Sequence, residues 1–352
     1  PPASANSSDT PLIAVAAIGL PSEGGQVYFG NDSYDSFPIA AGAIDVAVDD
    51  FGDGLPTVVA ASFRQSGLTL FAPDVRFAPQ ELSVNASQIT SIATGDVDGD
   101  GDNDIVVVGI GYDTTFESGA SSGDSGSEIS ILLNNGNGSF SPLADGQSDA
   151  NLTSKYVDVT LADIDGDGQQ EILALDQRQT LRVLRLDGGQ VRLVSSTSVT
   201  AKASKLAVGD FNRDSQLDVV VASNSNDVIE IFVGDGAGNF SLVKSIQDVF
   251  NPIDLTVADF DQDGVDEIAV ANLYRRSVGG NNPDPLLPST VTVLKLQVAE
   301  ESVVVDQNSV SVDYTFPRVT PGFSPQTRMD VNASGEITAN DALMIINQLN
   351  RQ

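Results

Sequence analysis

The sequence predicts an all-β fold, a β-propeller of four-stranded antiparallel blades with a small EF-hand-like loop-helix after it. Three observations predict it. A nine-residue acidic loop occurs in four nearly intact copies, each copy runs straight into a short apolar strand, and the copies recur at intervals that suit one blade apiece. The loops read GDVDGDGDND from Gly95, ADIDGDGQQE from Ala162, GDFNRDSQLD from Gly209 and ADFDQDGVDE from Ala258. A damaged fifth copy, DDFGDG, occupies 49–54. It is one residue short, and Thr57 stands where the others close on a carboxylate. Counted from Asp50, Asp96, Asp163, Asp210 and Asp259, the steps are 46, 67, 47 and 49 residues.

Each intact loop places carboxylate or amide side chains at positions 1, 3, 5 and 9. The sets are Asp96, Asp98, Asp100 and Asp104; Asp163, Asp165, Asp167 and Glu171; Asp210, Asn212, Asp214 and Asp218; and Asp259, Asp261, Asp263 and Glu267. A hard cation needs six to eight oxygens converging on one point. Alternate residues of a tight loop can turn their oxygens inward, and a Gly after position 5 permits the bend. The expectation is therefore a Ca2+ loop, shorter than an EF-hand, in each of four blades. The copy at 49–54 is expected to bind weakly or not at all, and the copy from Gly209 carries Ser215 in place of the bending Gly. With protein oxygens filling each site, the metal is expected to be structural.

The strands follow from periodicity. In the clearest repeat, strand A is 205–209, strand B 218–222, strand C 228–233 and strand D 240–246. Alternation in A, C and D suits half-buried strands, and the continuous apolar run of B suits a strand covered on both faces. The same template gives blades at 43–84, 89–144, 156–197, 203–246 and 252–306. Segments 12–17, 26–29 and 37–41 look like strands B, C and D of a further blade, and 309–316 is expected to complete it by closing the ring. Six blades are expected, with seven as the alternative. Two B-to-C connections, 112–127 and 274–288, are long and should project from the face opposite the metal loops. The second carries Tyr274, Arg275 and Arg276, a basic aromatic cluster suited to contact a ligand.

The loop and the DIVVVG, EILALD, DVVVAS and EIAVAN strands resemble FG-GAP (VCBS-type) repeats of integrin α-subunit propellers and secreted bacterial proteins, over roughly residues 10 to 316. That resemblance implies a calcium-bearing propeller at 1–316. Residues 317–328 form a Pro/Gly/Ser linker. Beyond it, Asp330, Asn332, Ser334, the Glu336 carbonyl, Thr338 and Asp341 fall at EF-hand positions 1, 3, 5, 7, 9 and 12, with a helix to follow. Residues 329–352 thus resemble one half of a dockerin, which implies a cohesin-like or other partner and one more Ca2+.

Composition narrows the function. The 352 residues carry 17 Lys and Arg against 49 Asp and Glu, a net charge of -32, with no His and no Cys. The commonest general base, thiol nucleophiles, disulfides and zinc thiolates are therefore excluded. Nucleic acid and anionic membrane surfaces would be repelled, and no apolar run is long enough for a membrane helix. The sequence opens Pro1-Pro2-Ala3, which reads as a mature product or a fragment of an exported protein. The leading expectation is a non-catalytic, calcium-stabilised binding or adhesion propeller, secreted or at a bacterial surface, with a protein or glycan ligand. A structural spacer in a giant surface protein is one alternative. The other is enzymatic, since similar propellers occur among polysaccharide lyases.

Overall fold

The five apolar runs that follow the loops are each buried along nearly their whole length, which a strand achieves only with a packed layer on both faces. The computed structural model shows how. It describes residues 13–17, 25–30, 34–39, 43–52, 54–62, 67–71, 79–84, 88–110, 129–143, 154–199, 202–247, 249, 251–260, 263–272, 290–299 and 302–306. Of these, the residues up to 43 and 290, 296–299 and 302–306 are described by their backbone alone.

A three-stranded sheet comes first, β1 (Ile13–Ala17), β2 (Gly25–Gly30) and β3 (Tyr34–Ile39). Five four-stranded sheets follow. Blade 1 is β4 (Ala43–Asp50), β5 (Pro56–Ser62), β6 (Gly67–Phe71) and β7 (Gln80–Ser83). Blade 2 is β8 (Ile89–Gly95), β9 (Asp104–Gly109), β10 (Ile129–Asn134) and β11 (Phe140–Pro142). Blade 3 is β12 (Tyr156–Ala162), β13 (Glu171–Asp176), β14 (Thr180–Asp187) and β15 (Gln190–Ser198). Blade 4 is β16 (Lys205–Gly209), β17 (Asp218–Ser223), β18 (Val228–Gly234) and β19 (Phe240–Ile246). Blade 5 is β20 (Pro252–Ala258), β21 (Glu267–Asn272), β22 (Thr290–Ala299) and β23 (Ser302–Asp306). Within each sheet the strands pair antiparallel in chain order.

The apolar core lies between blades. Along β17, Val219 and Val221 join the cluster shared with blade 3, while Val220 and Ala222 join the cluster shared with blade 5. In β9, Ile105 and Val107 face blade 1 and Val106 and Val108 face blade 3. Each second strand thus serves two interfaces with its two faces, which is why it reads as an unbroken apolar run. The blades meet most closely through their first strands, β4 beside β8, β8 beside β12, β12 beside β16 and β16 beside β20.

Three expectations need correction or placing. The described residues hold five four-stranded blades rather than six or seven, plus the three-stranded sheet. That sheet was expected as strands B to D of a further blade, and β1 lies beside β4, while the strand expected to complete it falls outside the described residues. The sheet's place is set by which strand it packs against, a tertiary fact that local alternation does not encode. All described elements are strands. The loop-helix expected at 329–352, the linker 317–328, the closing strand 309–316 and the long connections 112–127 and 274–288 lie outside the described residues.

The first strands carry a second set of inter-blade contacts. Asp45, Ser91, Asp158, Lys205 and Asp254 share one register, five residues before each loop. Asp45 Oδ2 accepts from Ser91 Oγ and Ile92 N of blade 2, both at 2.9 Å. Asp158 accepts from Lys205 Nζ at 2.9 Å and Leu206 N at 2.8 Å of blade 4. Asp254 instead takes Leu255 N of its own strand, at 2.9 Å. Burial pushes the Asp254 carboxyl up to about 6 against the opposing pull of Lys205. Burial alone would lower the Lys205 ammonium, but Asp158, Asp254 and Asp45 outweigh it and raise it.

Candidate metal centres

Each loop leaves the end of a first strand and re-enters the fold at the start of a second strand, so the position-1 and position-9 carboxylates are brought together by strand pairing. Gly95 pairs with Asp104 and Ala162 with Glu171. The position-1 carboxylate then organises the turn. Asp96 Oδ1 accepts from Gly99 N at 2.7 Å and Oδ2 from Gly101 N at 2.9 Å. Asp163 repeats this with Gly166 N at 2.8 Å and Gly168 N at 2.9 Å, and Asp259 accepts from Asp263 N and Gly264 N. Gly101 and Gly168 sit at φ +95° and +94°, left-handed backbone that favours glycine. Ser215, at the same place in blade 4, takes φ +65° with a side chain.

Position 2 ties the loop to the core. Val97, Ile164 and Phe211 are buried apolar side chains, and their backbone N–H groups, like that of Phe260, donate to the position-9 carboxylate. The loops also join one another around one rim. Gln170 N donates to Asp96 O at 2.9 Å, Asn103 Nδ2 to Asp49 Oδ1 at 2.7 Å, and Asp210 N to Asp266 Oδ2 at 2.9 Å.

In three blades the acidic oxygens converge within 4.8 Å of one another: Asp96, Asp98 and Asp104; Asp163, Asp165 and Glu171; and Asp259, Asp263 and Glu267. Asp100 and Asp167, expected ligands at position 5, stand outside these trios, and Asp261 lies outside the described residues. Asp167 is engaged instead by Arg185 Nη2. In blade 4, Asp210, Asn212, Asp214 and Asp218 form no such trio among the described residues. There Asn212 Nδ2 donates to Asp214 Oδ2 at 3.0 Å, so the position-3 amide is spent on the position-5 carboxylate. In blade 1, Asp50 Oδ1 accepts from Gly52 N and Gly54 N, and Asp53 lies outside the described residues. Asp330, Asn332, Ser334, Glu336 and Asp341, with Tyr274, Arg275 and Arg276, likewise fall outside them.

The donor set fits a hard cation: all oxygen, strongly anionic, and held by a preformed turn. Glu171 is 2% exposed, and its Oε1 accepts no hydrogen bond. Crowding shows in the titration. Burial pushes Asp104 up to about 7 and Asp218 up to about 6, against two backbone N–H bonds apiece that pull them down. Burial also raises Glu171, with Asp165 and Asp163 adding to it.

Sequence reasoning missed the cations near these loops. Arg185 Nη1 lies 2.9 Å from Asp165 and 3.5 Å from Glu171. Lys295 Nζ lies 2.7 Å from Asp263 and 2.8 Å from Glu267. Arg213, inside the loop of blade 4, reaches Asp263 of blade 5 at 3.1 Å.

The FG-GAP-like repeat model matches residues 49–107, 119–174, 163–221 and 210–270, together more than half of the sequence, and each match takes in a loop with the strands around it. The chain belongs to the FG-GAP-like repeat family. A search of curated proteins returned no match. Solved structures that share the fold include a functionally unknown protein from Desulfotomaculum acetoxidans, 14% identical with a TM-score of 0.51, over 82% of this chain and 77% of that one. A protein from Lactobacillus plantarum is also 14% identical, with a TM-score of 0.52, over 82% of this chain and 79% of that one. At that identity the likeness concerns the fold alone. Among the described residues no helix is long and apolar enough to cross a membrane.

Proposed function

We propose that this FG-GAP-like chain is a calcium-stabilised binding propeller that works outside the cell. The observation that carries the reading is the convergence of three acidic trios at one blade position, in loops whose turns are already formed. Ca2+ is the cation that best suits seven or so oxygen ligands in a flexible loop, and extracellular calcium fills even sites with dissociation constants of about 10⁻⁴–10⁻³ M. The rim of linked loops then acts as a rigid frame. Ligand contact falls to the long connections on the other face, with Tyr274, Arg275 and Arg276 as the candidate residues for a protein or glycan, and the dockerin-like 329–352 serves as a tether. The absence of His and Cys favours a non-catalytic role.

Calorimetric titration of calcium into the metal-free chain tests the metal reading. At least three sites are expected, one in each of blades 2, 3 and 5. Asp259→Ala should remove one site and Asp50→Ala none. Loss of a site with Asp50→Ala, or no heat of binding at all, would overturn the reading.

A further inference from the structure

The four intact loops fall into two kinds. In blades 3 and 5 position 9 is Glu, and the residue paired with it on the third strand is basic. Register places Arg185 opposite Glu171, next to the Ile172 and Leu184 pair, and Lys295 opposite Glu267, next to Ile268 and Leu294. In blades 2 and 4 position 9 is Asp, and by the same register its partner is apolar, Leu133 or Val233. The change is coupled to how the carboxylate is satisfied. Asp104 uses both oxygens on backbone amides, Val97 N at 3.0 Å and Asn134 N at 2.8 Å. Asp218 does the same with Phe211 N and Gly234 N. The longer Glu gives only one oxygen to the backbone, Glu171 Oε2 to Ile164 N and Glu267 Oε2 to Phe260 N. Its other oxygen turns toward the basic side chain.

Building on the calcium reading above, we propose that Arg185 and Lys295 are tethered counter-cations, which hold the loops of blades 3 and 5 while no metal is bound and which entering calcium must displace. On a chain with 17 basic residues against 49 acidic ones, two of them occupy this one register position, and both touch the carboxylates that converge there. A divalent ion bound to Asp165 and Glu171 would want the same oxygens that Arg185 Nη1 now holds, and two cations at that separation repel. The side chain and the ion therefore compete. Blade 2, whose acidic trio also converges, has no such internal cation among the described contacts, so its loop gains more from metal. The molecule thus carries tighter and weaker calcium sites within one ring.

Competition gives two effects of opposite sign. Removing the basic group should weaken the metal-free protein and strengthen metal binding. The test is the full chain with Arg185→Gln and Lys295→Gln together, its affinities read by chelator competition from the calcium-loaded side so that no stable metal-free state is needed. Two sites should tighten by about tenfold, the order of one partly exposed ion pair that no longer has to be broken. The melting temperature in EDTA should fall, and Arg185→Lys with Lys295→Arg, which keep the charge, should restore both readings. Arg192→Gln, which breaks the exposed pair with Asp187, should move neither. If the wild-type chain binds no calcium, the calcium reading itself fails. If it binds calcium but the double variant binds with the same or lower affinity, the counter-cation assignment is wrong.

Discussion

Blades 2 and 3 face the same problem, carboxylates crowded at one point, and they relieve it differently. In blade 2, Asp104 is fully buried and anchored by two backbone amides, and the residue across from it is Leu133, which offers no charge. In blade 3, Glu171 spends one oxygen on Ile164 N and leaves the other to Arg185, which also grips Asp165 and Asp167. One loop is held by the main chain and left anionic. The other is held in part by a side-chain cation. The difference teaches that copies of one motif can share a fold role while differing in how much they need a metal.

The strongest way to break this comparison is to remove the two closing carboxylates in turn. Asp104→Ala strands two buried amides, Val97 N and Asn134 N, and should cost about 2–4 kcal/mol in urea unfolding under EDTA. Glu171→Ala strands only Ile164 N and should cost about half as much. Equal costs would mean that the backbone anchoring of Asp104 is not what distinguishes blade 2.

A smaller effect is expected in the first strands, where a carboxylate hydrogen-bonded to a cation again stands beside one that is not. Asp158 is held by Lys205 and Leu206 N, whereas among the described contacts Asp254 accepts from Leu255 N within its own strand. Burial raises the Asp254 pKa to about 6 from an ordinary 3.8, so the folded state favours the protonated form. The stabilisation from that group is present below pH 3.8 and lost as pH rises through about 6. Asp254→Asn should therefore melt like wild type at pH 4 and a few degrees higher at pH 7.5, roughly 2–5 °C by the usual scaling for a chain of this size. A variant that melts lower at pH 7.5 would show that Asp254 is a needed partner of Lys205 rather than a strained carboxylate.

The smallest effect concerns the bend. Ser215 pays a backbone penalty at φ +65° that Gly168 avoids at +94°. Ser215→Gly should stabilise the protein by about 0.5–1 kcal/mol and Gly168→Ala destabilise it by a similar amount, with nothing within 4 Å of the added Cβ to confuse the reading. Opposite signs would show that the blade 4 loop is shaped by contacts rather than by conformational preference.

The blades and loops were legible because their signals are local. Asp at alternate positions, Gly at the bend and an unbroken apolar run such as Asp104–Gly109 all lie within about twenty residues. The partners were not. Arg185 meets Glu171 through the pairing of β13 with β14, and Lys295 meets Glu267 across the long connection 274–288, so neither contact shows in the loop motif itself. Asp45 and Asp158 read as ordinary polar members of alternating strands, and only the packing of β4 on β8 and β12 on β16 turns them into links between blades. At position 5, Asp263 joins its trio while Asp100 and Asp167 stand outside theirs, a difference that the even spacing of carboxylates in the sequence does not show.

Thermal unfolding with excess calcium and then with EDTA tests the central claim most directly. Calcium that binds only the folded state at several loops joining first to second strands should raise the melting temperature by more than about 10 °C over the metal-free chain, while magnesium at equal concentration should do far less. Superimposable melting curves in calcium and EDTA would contradict the account and leave the acidic trios as solvated turns.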